Sequence, residues 1–110
     1  MNKQEIVNRL LSLPAEIATA EEVVLQANAT LVSAKELLQQ KEDDLLLGNM
    51  IDGKNAEIRS AQMRLNTLNE REGLTDAEME LKNAVTRLGR SRDEFRALQA
   101  VTSLLKEDVA

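Results

Sequence analysis

The chain has 110 residues, 43% of them hydrophobic, with 14 Lys and Arg against 19 Asp and Glu, one Phe, and no Cys, His, Trp or Tyr. Lack of Cys excludes a disulfide framework and a thiolate nucleophile, and lack of His removes the commonest metal ligand and proton shuttle. A net charge of −5 disfavours binding to a phosphate backbone across the whole surface, and no apolar run approaches the roughly 20 residues that cross a bilayer.

In chain order, residues 3–13 read as a short helix in which Lys3 and Arg9 oppose Ile6, Leu10 and Leu13. Those apolar residues continue in phase into the next segment, so helix packing rather than membrane contact is their expected use. Pro14, the only proline, either opens a new helix over 14–47 with Ser12 as its cap or kinks a continuous one. A 3-4 repeat then runs through Ile6, Leu10, Leu13, Ile17, Ala20, Val24, Ala27, Leu31, Ala34, Leu38 and Leu45, with Lys41 its one polar position. That spacing is the seam of a coiled coil. Gly48 stands where a left-handed residue would end the helix, and the turn 48–53 leads to Asp52 or Asn55 as the next cap.

A helix over 54–71 comes next, with Ile58, Ala61, Leu65 and Leu68 in one register. The register fails at Glu72 and Thr75. Gly73, together with the capping-box pattern of Thr75 and Glu78, predicts a break at 72–75, with a stutter inside one helix as the alternative. The last helix, 76–107, carries a new register beginning at Leu74: Ala77, Leu81, Ala84, Leu88, Ser91, Phe95, Leu98, Thr102 and Leu105.

Small and large seam residues alternate in both arms, as in Ala20, Val24, Ala27, Leu31 and again in Ala77, Leu81, Ala84, Leu88. Small residues at seven-residue intervals let two helix backbones approach closely while large neighbours fill the gaps. The expected fold is therefore all-α: one domain over 1–110 built as a long antiparallel helical hairpin, with Ile17 opposite residues near Ala84. Leu11, Leu25, Leu37, Leu46, Val85, Val101 and Leu104 fall outside the seam. So broad an apolar stripe predicts a homodimer with a four-helix core, and a monomeric three-helix bundle is the alternative.

Catalytic patterns are missing. Neither a triad nor a Gly-rich phosphate loop occurs, and neighbouring carboxylates such as Glu21-Glu22 and Glu42-Asp43-Asp44 diverge on a helix, so no enzyme, cofactor or metal site is expected. Charge is uneven: residues 1–47 carry four basic and eight acidic groups, while residues 82–96 carry Lys82, Arg87, Arg90, Arg92 and Arg96 against Asp93 and Glu94. Arg87, Arg90, Arg92 and Arg96 form a candidate basic patch, although no aromatic platform for bases accompanies it.

The segment from Gly48 to Gln62, with Gly53, Lys54, Asn55, Glu57, Arg59 and Gln62, resembles small helical proteins of bacteriophages and prophages that carry a Gly-Lys-Asn turn followed by Glu, Arg and Gln. The resemblance implies a phage protein of a bacterial host, and the interruption of the N-terminal apolar stretch by Asn8 and Arg9, which leaves no signal-peptide core, makes the cytoplasm its expected place. Such proteins are mostly of unassigned function and tend to be encoded near single-strand annealing or single-strand-binding proteins. By the residues themselves, Gly53 permits a tight turn, Asn55 can cap, and Arg59 and Gln62 either tie the turn down or face a partner. A secreted hairpin group with a Trp-x-Gly turn has similar dimensions, but this chain has no Trp. Three functions are expected as alternatives: an interaction protein binding a recombination or replication protein, a weak DNA-binding accessory using the basic stretches, or an acidic inhibitor of a basic host surface.

Overall fold

The first 47 residues contain no glycine and are rich in Leu, Ala and Glu, which favours uninterrupted helix. In the computed structural model, which describes residues 1–109 and side-chain surroundings as far as Glu107, helix α1 runs over Lys3–Leu47. Asn2 caps it, its Oδ1 accepting a hydrogen bond from the Glu5 N–H at 2.8 Å. The separate helices expected over 3–13 and 14–47 are one helix with Pro14 inside it. Proline removes a single N–H donor, and the unbroken seam on both sides supplies the packing that keeps the helix intact. Ser12, instead of capping, donates its hydroxyl to the Arg9 carbonyl at 3.0 Å.

The C-terminus of α1 is closed by two backbone bonds, Asn49 N–H to the Leu46 carbonyl and Met50 N–H to the Leu45 carbonyl, at 3.2 and 3.0 Å. This is a Schellman motif, and its left-handed residue is Asn49 (φ 57°), not the expected Gly48. Asparagine tolerates that region because its short polar side chain adds little steric penalty.

Helix α2, Ala56–Asn66, begins at Asn55, whose side chain accepts from the Ile58 N–H. It ends at Thr67, one residue before α3 at Leu68–Val109. The break predicted at 72–75 is thus displaced to Thr67. Gly73 lies inside α3, and the Thr75 hydroxyl bonds back to the Arg71 carbonyl at 3.1 Å rather than forming a capping box. The register of Ile58, Ala61, Leu65 and Leu68 fails at three of its positions for the same reason: Ile58, Leu65 and Leu68 are exposed, whereas Ala61, Gln62 and Met63 are half-buried and Thr67 is buried. Thr67, fully buried, extends the last seam backward by seven residues from Leu74. Its hydroxyl donates to the Met63 carbonyl at 2.7 Å and accepts from Arg71 Nε at 2.9 Å. Both bonds satisfy a polar group that would otherwise be costly to bury.

The long seams stand as read. All ten residues from Leu74 to Leu105 are buried or half-buried, as are the eleven apolar seam positions of α1. At Lys41 the stripe steps one residue onward: Lys41 is exposed and Glu42 is half-buried.

The contacts divide into two compact units, Met1–Gln26 with the stretch from Lys82 onward, and Ala27–Leu81. In unit 1, segments of α1 and α3 run antiparallel and bury Ile6, Leu13, Ala84 and Leu88. Its register can be read from the Arg9–Glu94 ion pair and the looser Glu21–Arg92 contact. They show Ile17 opposite Ser91, one heptad away from the expected Ala84. A shift by a whole heptad preserves every seam position, which is why the pattern alone could not detect it. Unit 2 buries Ala27, Leu45, Thr67 and Ala77, and α2 contributes no fully buried residue to it.

Candidate functional site

The turn motif is held by a closed set of bonds within unit 2. Gln62, from the second turn of α2, reaches back so that its Oε1 accepts from the Gly53 N–H at 2.8 Å and its Nε2 donates to Asp52 Oδ1 at 2.8 Å. Arg59 Nη1 donates to the Gly53 carbonyl at 3.1 Å. A Cβ on Gly53 would lie 2.5 Å from Ile58 Cγ2 and 3.0 Å from Gln62 Oε1. Only glycine lets the chain pass so close to the helix it precedes. Gly53, Asn55, Arg59 and Gln62 are thus brought together and occupied with one another. Lys54 and Glu57, among the described residues, make no hydrogen bond or ion pair and remain exposed. Beside them, a shallow groove of about 430 Å³ is lined by Ala56, Glu57, Ser60 and Arg64. Asp52 joins the network although the sequence offered it only as a cap; its ten-residue separation from Gln62 carries no local signal.

The four arginines of the basic patch do not form one surface. Successive helix residues turn by about 100°, so Arg87 and Arg90 lie on one flank of the α3 seam and Arg92 and Arg96 on the other. The first pair lines a groove of about 570 Å³ with Ala15, Glu16, Thr19 and Ala20 from α1, and it has no partner among the described residues. In the second pair, Arg92 approaches Glu21 at 3.9 Å and Arg96 approaches Asp93 at 3.8 Å. Both contacts are exposed and therefore weak.

Arg9 is the strongest electrostatic feature of unit 1; the sequence placed it opposite Ile6, Leu10 and Leu13, whereas it is half-buried beside the seam and paired across it. Its Nε and Nη2 form a two-pronged bond with Glu94, at 2.7 and 2.8 Å, while Nη1 holds Glu16 at 2.8 Å. The two-pronged hydrogen bond holds the Glu94 carboxyl below its ordinary range, and the two carboxylates together raise the Arg9 guanidinium above its own. Arg9 and Glu94 occupy equivalent positions beside their seams, where interhelical ion pairs form. That placement could have been read from the sequence had the register been known.

The acidic clusters also separate. Glu21 and Glu22 belong to unit 1, and Glu42, Asp43 and Asp44 to unit 2. Unit 1 holds eight basic and eight acidic residues, while unit 2 holds six basic and eleven acidic, so the whole net charge of −5 resides in unit 2. Among the described residues no cluster of carboxylates is arranged to hold a metal ion, and no helix is long and apolar enough to cross a membrane. No protein-family model, curated protein or solved structure matches the chain.

Proposed function

We propose that this protein is a non-enzymatic helical interaction module of phage type, a homodimer in the bacterial cytoplasm, assisting DNA recombination or replication through protein contacts. The observation that carries the interaction reading is the ratio of exposed to buried apolar residues. Among the described residues seven apolar residues are buried, whereas seventeen large apolar side chains are exposed, among them Leu11, Leu25, Leu37 and Leu104. Exposed apolar stripes on so thin a core call for another surface to cover them. The link to phage recombination and replication rests on the resemblance of the turn motif alone. Lys54 and Glu57 are its free side chains and the part of the motif that can face a partner.

The test is capture of the tagged protein from its host lysate, with and without nuclease, followed by mass spectrometry. Recovery of a recombination or replication protein that survives nuclease supports the reading. Recovery that depends on nucleic acid transfers the function to the arginines of unit 1.

A second reading draws on the charge of unit 2: its surplus of five acidic groups suits an inhibitor occupying a basic host surface. Neutralising Glu42, Asp43 and Asp44 should then abolish inhibition, with Glu21 and Glu22 of unit 1 contributing little.

A further inference from the structure

Both sides of the unit 1 helix pair are uncovered, and one of them carries a second stripe with heptad spacing. On α1 the stripe consists of Val7, Leu11, Pro14, Ala18 and Leu25, and on α3 Val85 and Gly89 continue it. Leu11 is 76% exposed and Leu25 65%. Val7 and Leu11 share a groove of about 480 Å³ with Phe95 and Gln99 of α3, and Glu21 meets Arg92 on the same side, so both helices contribute to this one face. We infer that this face is the surface on which a second copy of the chain docks, an assignment that rests on the interaction reading.

Charge selects a second copy over other occupants. Glu21, Glu22 and Asp93 stand around the face against Lys82, Arg92 and Arg96, so it is neutral and carries each sign with its complement. A symmetric interface places the same patch on both partners and needs that self-complementarity, whereas an acidic peptide or a nucleic acid is best met by a face of one sign. The long contacts of Arg92 and Arg96 within the chain, 3.9 and 3.8 Å, leave both guanidinia free to bond carboxylates across the interface.

Sedimentation equilibrium of the full chain tests this. The wild type should show twice the 12.2 kDa of one chain. The Leu11→Glu, Leu25→Glu variant should be monomeric with its helical circular dichroism retained, and Val23→Glu with Leu104→Glu, on the opposite side of the helix pair, should remain dimeric. Because the chain has no Cys, a fold-independent check is available. Ala18→Cys treated with a short bis-maleimide should give a covalent dimer, and Thr19→Cys, turned to the opposite flank, should not. A monomeric wild type, a dimer that persists in the Leu11→Glu, Leu25→Glu variant, or equal cross-linking at both cysteines overturns the inference. A monomer that still captures a nuclease-resistant protein partner, and loses it in the Leu11→Glu, Leu25→Glu variant, overturns the second copy as occupant but leaves the interaction reading standing.

Discussion

Glycine at position 53 and glycine at position 73 have opposite structural meanings, and substitution separates them. Gly53→Ala drives a Cβ to 2.5 Å from Ile58 Cγ2 and should lower the stability of the full chain by about 1–3 kcal/mol, the usual range for overpacking. Thermal denaturation would measure the loss, and an unchanged midpoint would show that the turn relaxes freely. Glu94 permits a test by pH. An acid held below its ordinary 4.5 contributes stability that is fully present above 4.5 and disappears as pH falls through the lower folded value. Wild type should therefore melt above Glu94→Gln at neutral pH, and the two melting curves should converge on acidification below 4.5. A gap that is constant with pH would mean that the Arg9–Glu94 pair is not the cause. Asn55 was legible in the sequence as one of two candidate caps, with Asp52, because a cap acts over three residues. Arg9 was not, because its partner lies 85 residues away.

Among the elements, α3 illustrates how tertiary packing overrides local punctuation. Gly73 and the Thr75–Glu78 pattern both signal a helix boundary, yet the helix passes through them and breaks at Thr67. The last seam continues without a phase change from Thr67 through Glu70 to Leu74, and burying that stripe outweighs the roughly 1 kcal/mol by which a glycine disfavours helix. Gly73→Ala has open space for its methyl group and should raise stability by about 1 kcal/mol; a fall in the melting midpoint would mean that the methyl group meets a neighbour in the native protein. Close approach of the seams is tested at Ala27, 8% exposed. Ala27→Leu should cost about 1–3 kcal/mol through overpacking, whereas a neutral or stabilising effect would argue against a small-residue seam.

Over the whole molecule, charge is segregated: a neutral unit 1 and a unit 2 that carries the entire −5. The basic pairs of unit 1 sit on opposite flanks of α3, so no single surface gathers the four arginines that a phosphate backbone would need to meet together. Labelled duplex DNA should therefore show no anisotropy change with the full chain at physiological salt. Salt-sensitive binding that disappears in Arg87→Glu, Arg90→Glu would restore the DNA-binding function. Loss in both that variant and Arg92→Glu, Arg96→Glu would mean that the two flanks engage DNA jointly.

The sequence by itself determined the helical class and both long seams, and narrowed the α2 cap to Asp52 or Asn55, because each is written within a few turns of helix, where the 3.6-residue period and local hydrogen bonds act. Tertiary structure decided the rest. It kept α1 whole across Pro14, moved the break from Gly73 to Thr67, shifted the antiparallel register by one heptad, and divided the arginines between two flanks. A heptad repeat is unchanged by translation through seven residues, so apolar spacing cannot select among registers. Long-range ion pairs and the burial of Thr67 can, because they depend on which residues meet across the helix pair.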